Sequence, residues 1–142
     1  MGNEIIIFTD GASRGNPGLG GFGAILVFDD KVIEIGGYEK YTTNNRMELR
    51  AAIEAFSQLK SYQLKATSYK LFSDSSYVIN GITKWVHGWR KNNWKTKTKD
   101  DVLNRDLWEK LAELTDGKKI KWNYLGGHVG IVGNERCDEI AT

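Results

Sequence analysis

The pattern of polar and apolar positions divides the 142-residue chain into a short series of elements. Glu4 to Thr9 is a β-rich apolar run that stops at Asp10-Gly11, a turn signal. Ala24 to Phe28 and Val32 to Tyr38 read as two further strands joined through Asp29-Asp30. Three successive strands with short connections predict an antiparallel meander. From Thr42 to Lys60 the period changes. Leu49, Ala52, Ile53, Phe56 and Leu59 form one helical stripe, and Thr42, Thr43, Asn44 and Asn45 offer capping groups before it. Ser68 to Ser73 predicts a short strand, with a helix from Ser75 onward. Asp101 to Leu114 predicts another helix, with Leu103, Leu107, Leu111 and Leu114 on one side and a stop near Asp116-Gly117. Lys119 to Leu125 alternates, placing Ile120, Trp122 and Tyr124 on one face. A last helix is expected from Asn134, and Thr142 cuts it short. The order predicts an α/β protein with a mixed sheet flanked by helices.

Composition adds bounds. The length suits one domain. No uncharged apolar run approaches the roughly 20 residues of a membrane helix, and the acid at Glu4 argues against a secretory leader. Cys137 is the sole cysteine, which excludes an internal disulfide and a multi-cysteine zinc site and leads us to expect a cytoplasmic protein. Gly18 to Gly23 matches G-x-G-x-x-G, but a strand rather than a helix follows, so a dinucleotide site is rejected. The glycine-rich stretch from Gly11 to Gly23 reads instead as a wide hairpin loop.

The net charge of +2 conceals a separation. Between Ser75 and Lys99 the chain carries Lys84, Arg90, Lys91, Lys95, Lys97 and Lys99 and no acid, leaving 14 basic against 18 acidic residues elsewhere. Trp85, Trp89 and Trp94 share that segment. Cations neutralise phosphates and indoles stack on sugars or bases, so 84–99 is a candidate nucleic-acid arm. The competing reading is a solvated helix whose tryptophans face the core.

Four acids stand out: Asp10, Glu48, Asp74 and Asp138. Each has an ordinary alternative: an Asp-Gly turn, a capping box with Asn45, a helix N-cap, and a surface acid beside Arg136. If the strands from Ile5 and Tyr69 are parallel neighbours, however, Asp10 and Asp74 meet at one sheet edge, where sites form in α/β sheets. Clustered carboxylates repel unless protonated or bridged by a cation, and an oxygen set without cysteine suits Mg²⁺ or Mn²⁺. Two such ions serve in-line displacement at phosphorus. Acids plus basic arm point to phosphodiester cleavage in nucleic acid. His128, in a glycine-rich loop before Asp138, is a candidate proton carrier.

The segments Thr9-Asp-Gly-Ala-Ser-Arg-Gly-Asn-Pro-Gly, Thr43-Asn-Asn-Arg-Met-Glu-Leu, Ser73-Asp-Ser-Ser-Tyr-Val and Gly127-His through Asn134-Glu-Arg-Cys-Asp-Glu resemble type 1 ribonuclease H of the bacterial kind, in order and along the whole chain. The resemblance implies a five-stranded mixed sheet of order 3-2-1-4-5. It also implies a monomeric endonuclease that hydrolyses the RNA strand of RNA–DNA hybrids, leaving 5′-phosphate and 3′-hydroxyl ends. Asp10, Glu48, Asp74 and Asp138 would hold two Mg²⁺ ions, with Mn²⁺ as a substitute, and His128 would assist proton transfer or product release. Gly11, Asn16, Thr43, Asn44, Asn45 and Asn134 would contact the hybrid, and the arm with Trp85, Trp89, Lys91, Lys95 and Lys97 would meet the DNA strand. Amides such as Asn can both donate to and accept from a 2′-hydroxyl, which distinguishes RNA from DNA. The chain departs from the pattern at Ser76, where many relatives carry Gln, and in the apolar loop Val129-Gly-Ile-Val-Gly133. Two rivals remain: a binding module of the same fold without activity, and a nuclease of the broader fold acting on DNA.

Overall fold

The structure is a computed structural model that describes residues 3–29 and 31–126. The helix expected from Asn134, with His128, Asn134 and Asp138, lies outside the described residues. Five strands are present: β1 (Glu4–Ser13), β2 (Gly18–Phe28), β3 (Lys31–Thr42), β4 (Ser68–Ser73) and β5 (Ile120–Tyr124). Four α-helices accompany them: α1 (Asn44–Ser61), α2 (Ser76–Asn80), α3 (Val86–Lys91) and α4 (Arg105–Thr115), with a π-turn over Gly81–Trp85 between α2 and α3. The sheet order is β3-β2-β1-β4-β5. The first three strands form the expected antiparallel meander, and β4 and β5 add in parallel through helical crossovers. The mixed sheet of the sequence reading is therefore present.

The core lies between this sheet and α1. The predicted stripe of α1 (Leu49, Ala52, Ile53, Phe56, Leu59) is buried and packs with Ile5, Ile7, Leu26 and Leu71 of the sheet. Each large side chain so buried contributes roughly 1.5–3 kcal/mol before entropy is counted. Thr43 caps the helix by accepting from Arg46 N at 3.2 Å, so it starts at Asn44.

Three expectations need correcting. First, β1 does not stop at Thr9; it continues to Ser13, and the glycine stretch read as a wide loop is largely the start of β2. Gly20, Gly21 and Gly23 pair with Ser13, Ala12 and Asp10, leaving a hairpin loop of only Arg14 to Pro17, with a cis Asn16-Pro17 peptide. The glycines serve close approach. A Cβ at Gly11 would lie 2.5 Å from Glu48 N, so α1 could not rest on the strand. Second, α4 begins at Arg105, and Leu103 is 74% exposed. Asn104 adopts φ +60° at the cap, which turns Leu103 away, and the buried face is Leu107, Trp108, Leu111 and Ala112. Third, Tyr124 is 52% exposed, so the alternation of β5 does not carry one inner face to its end.

Trp108 is fully buried and holds the helical layer together. Its Nε1 donates to Tyr77 Oη at 3.0 Å, its ring lies 5.5 Å from that of Trp89, and the π-turn presses directly on it at Gly81, where any Cβ would overlap the indole. Two opposing magnitudes follow. Ala favours helix over Gly by about 1 kcal/mol, whereas overpacking a rigid core costs about 1–3 kcal/mol. At Gly81 the second prevails, because Trp108 is held on several sides. At Gly88, where an added Cβ would meet nothing within 4 Å, only the first operates. Chemical denaturation should therefore show Gly81→Ala losing about 1–2 kcal/mol and Gly88→Ala gaining up to about 1 kcal/mol. Equal effects of one sign would refute the packing account.

Candidate active site

The parallel register of β1 and β4 runs from Glu4↔Ser68 to Thr9↔Ser73. Asp10 and Asp74 are the next residues along each strand, so they meet at one sheet edge as the sequence reading required. Asp10 is not at a strand end, since β2 carries β1 onward. It is the first residue beyond the reach of β4, and the shorter parallel neighbour creates the edge. Glu48 comes from the second turn of α1. It closes no capping box with Asn45, because Thr43 is the N-cap. Nor is Asp74 the N-cap of α2; Ser75 takes that place, accepting from Val78 N at 3.2 Å, and Asp74 faces the other acids.

One carboxylate oxygen from each of Asp10, Glu48 and Asp74 lies within 4.8 Å of the other two. Asp10 and Glu48 are buried and Asp74 is half-buried, at the floor of a cleft of about 380 Å³ whose walls include Gly11, Asn44, Asn45 and Tyr77. Gly11 N donates to Asp10 Oδ1 at 2.9 Å. Burial pushes the Glu48 carboxyl well above the usual carboxylate range, and the negative charges of Asp10 and Asp74 push it further. Glu48 Oε1 is buried without a hydrogen-bond partner among the described residues. A buried carboxylate oxygen left in this state costs about 1–3 kcal/mol or more, which a bound cation would offset. All three donors are hard oxygens, the set that suits Mg²⁺ or Mn²⁺. The residues therefore fit a divalent metal site.

Around the acids, the cleft takes in three of the expected substrate contacts, Gly11, Asn44 and Asn45. Asn16 Oδ1 accepts from Asn44 N at 3.0 Å, which ties the hairpin loop to the start of α1. Thr43 spends its hydroxyl oxygen on the cap.

The basic arm has a mixed character. Trp85 is partly exposed, with its ring 5.8 Å from that of Trp89, whereas Trp89 and Trp94 pack against the core. The core-facing reading therefore holds for Trp89 and Trp94, while Trp85 keeps an exposed face. Lys95 pairs with Asp101 and Arg90 with Asp116, while Lys84, Lys91, Lys97 and Lys99 have no ion-pair partner among the described residues. A second cavity, of about 630 Å³, lies at the far end of the sheet against Leu59, Leu64 and Tyr69 and holds no acid, so the chemistry belongs to the acidic cleft.

Sequence reasoning missed Tyr77, which borders the cleft. Its hydroxyl oxygen accepts from Asn104 Nδ2 and Trp108 Nε1, both at 3.0 Å. Arg46 was missed too; it binds Asp106 at 3.0 and 2.7 Å and Asn104 Oδ1 at 3.2 Å, locking the first turn of α1 to α4. No local spacing signals these links, whose partners are 27 to 60 residues apart.

Comparison with known proteins agrees with this geometry. The ribonuclease H family profile matches residues 2–142. A ribonuclease H of Mesorhizobium japonicum is 50% identical over 141 residues, covering 99% of this chain and 77% of the relative. A ribonuclease H of Thermosynechococcus vestitus is 51% identical over 138 residues, covering 95% and 84%. Among solved structures, LC9-RNase H1, described as a type 1 RNase H with the type 2 active-site motif, superposes with a TM-score of 0.82 at 30% identity, over 98% of this chain and 70% of that one. LC11-RNase H1 in complex with an RNA/DNA hybrid shares the fold at a TM-score of 0.71 and 24% identity, over 96% and 93%. With the acid cluster in place and the match running the length of the chain, the protein belongs to the ribonuclease H family as a bacterial-type, metal-dependent endoribonuclease.

Proposed function

We propose that the protein hydrolyses the RNA strand of RNA–DNA hybrids with two divalent ions, Mg²⁺ in the first place, leaving 5′-phosphate and 3′-hydroxyl ends. The observation that carries this reading is the triad of Asp10, Glu48 and Asp74, two of them buried, beside the amide-lined cleft. The family relatives are named ribonuclease H, and one structural neighbour is held with an RNA/DNA hybrid. Asp10, Glu48 and Asp74 would hold the ions, with Asp138 as the fourth acid. When bound, the ions lower the pKa of a water for attack and stabilise the leaving oxygen. The chain's own groups do the rest. Gly11 N–H orients the Asp10 carboxylate, while Asn16, Asn44 and Asn45 hold the RNA strand. His128 carries a proton between the cleft and solvent. Lys91, Lys97 and the Trp85 face engage the DNA strand through contacts that read no sequence, as phosphate binding does. Lys95 contributes less, because Asp101 competes for it. The lone cysteine fits a cytoplasmic enzyme.

Three outcomes follow. Asp10→Asn should cut single-turnover hybrid cleavage by about 10³-fold, equivalent to roughly 4 kcal/mol of barrier, with hybrid affinity in EDTA nearly intact. Cleavage of labelled hybrid by the native protein in EDTA, or of duplex DNA alone, would sink the assignment.

The second concerns pH. Glu48 binds its proton more tightly folded than unfolded. The stabilisation this brings is complete below the ordinary glutamate pKa and is lost as pH rises toward the elevated folded value. Asp101 and Asp106 behave oppositely. Hydrogen bonds from Lys95 and Arg105 lower the first and those from Arg46 lower the second, so their contribution vanishes only as pH falls below the ordinary aspartate value. In EDTA, the native protein should lose melting temperature as pH rises above about 4.3. Glu48→Gln should flatten that decline, and Mg²⁺ should restore stability only to the native protein. A pH-independent melting temperature would contradict the burial of Glu48.

Third, replacing Lys91 and Lys97 with Ala should lower the slope of log affinity against log salt by about 2, raise KM and leave kcat nearly unchanged. An unaltered slope would remove the arm from the interface.

A further inference from the structure

The acid-free stretch that ends at Lys99 is followed at once by Asp100 and Asp101, and folding turns these acids back on it. Residues 94–102 form a small hairpin. Val102 N donates to Trp94 O at 3.0 Å, Thr96 N donates to Asp100 O at 2.8 Å, and Lys99 N closes the tip on Thr96 O at 2.9 Å. Lys95 and Asp101 stand opposite each other as an antiparallel bridge, so the backbone itself presents one to the other. Lys95 Nζ donates to Asp101 Oδ1, and the same oxygen accepts from Arg105 Nη1 of α4 at 2.8 Å. Arg105 Nε in turn binds Glu109. Two cations and two anions thus join in series, Lys95–Asp101–Arg105–Glu109, at the root of the hairpin. The hydrogen bonds from Lys95 and Arg105 hold the Asp101 carboxyl below the usual aspartate range, so it is ionised at neutral pH. The tip is different. Among the described residues, exposed Lys97 and Lys99 have no ion-pair partner, and Asp100 takes the Thr98 hydroxyl at 2.9 Å rather than a cation.

We propose that Asp101 is a positioning residue that withholds Lys95 from the nucleic acid and so fixes how many phosphates the arm neutralises. The inference rests on the hybrid-cleavage reading and deepens it. A lysine ammonium adds affinity for a polyanion by releasing a counterion from a phosphate. Lys95 can do so only by leaving Asp101, and what the phosphate gains the ion pair loses. Arg105 offers no replacement cation, because Glu109 holds its other edge. Exposed ion pairs usually contribute little, since two long side chains must be held in one geometry. Here the bridge sets Asp101 across from Lys95 and Arg105 fixes its carboxylate, so backbone and α4 supply much of that ordering. On the chain Lys95 belongs to an uninterrupted basic segment; in the fold it belongs to a neutral root, and the hairpin offers its charge at Lys97 and Lys99.

Hybrid affinity in EDTA, measured against salt, tests the proposal. Asp101→Asn keeps the shape of the side chain and removes its charge. It should steepen the slope of log affinity against log salt by about 1, an extra gain of about threefold on going from about 200 to about 50 mM salt. The single-turnover cleavage rate at saturation should stay near native. Asp101→Glu should keep the native slope. The gain should pass through Lys95, so adding Lys95→Ala to Asp101→Asn should return the slope to the native value. In the native background Lys95→Ala should lower the slope by less than half as much as Lys97→Ala, which should lower it by about 1. That comparison holds even where Asp101→Asn disturbs the hairpin. A native slope in Asp101→Asn, a gain that persists in the double variant as simple net charge would give, or equal effects of Lys95→Ala and Lys97→Ala would overturn the proposal and leave the hydrolysis assignment standing. Failure of the native protein to bind or cut hybrid would overturn both.

Discussion

Folding this chain forces three carboxylates to within 4.8 Å of one another, two of them buried. Their mutual repulsion is the constraint around which the surrounding structure is organised. It is tolerable because the Glu48 carboxyl takes up a proton more readily than usual, because Gly11 N–H supports Asp10, and because a divalent ion can replace the proton. The geometry that imposes the repulsion is the parallel pairing of β1 with β4, which brings Asp10 and Asp74 to one edge. The approach of α1, allowed by the missing side chain at Gly11, completes it. A site built this way has an affinity for cations because its apo state is electrostatically unsatisfied.

The second layer of the molecule holds this arrangement still. Arg46 clamps the first turn of α1 to Asp106 and Asn104, and Asn104 reaches Tyr77, three residues after Asp74. Tyr77 in turn takes the indole N–H of the buried Trp108, against which the π-turn and Trp89 pack. The acidic edge, the cleft wall and the root of the basic arm are thereby parts of one polar and aromatic network. The arm projects cations from a base that is itself core.

The charge separation of the sequence acquires meaning here. In the proposed function, the acids at the sheet edge and the arm lysines that have no ion pair among the described residues would act on different parts of the same polyanion, one holding metal at the cleaved strand and the other offsetting phosphate charge on its partner. Without the arm, the negative cleft would repel the substrate it is built to cut.

Much was readable from the chain because it is local. The stripe of α1, β4 from Ser68 to Ser73, the cap at Thr43 and the acid-free basic segment follow from periodicity and residue chemistry a few positions apart. The four motifs also pointed to the family and to the acids themselves. The tertiary structure decided what depends on distant partners. The glycine stretch became strand because α1 lies on it, a neighbour more than 20 residues away in the chain. Leu103 was turned outward and Trp108 inward by the left-handed cap at Asn104, whose side chain is held by Arg46 and Tyr77. Asn44 and Asn16, whose amides could face either way on paper, were given one orientation by backbone N–H groups that only the closed hairpin brings to them. Side-chain type sets which bonds a residue can make; which of them remain free for a substrate is set by the neighbours that folding supplies.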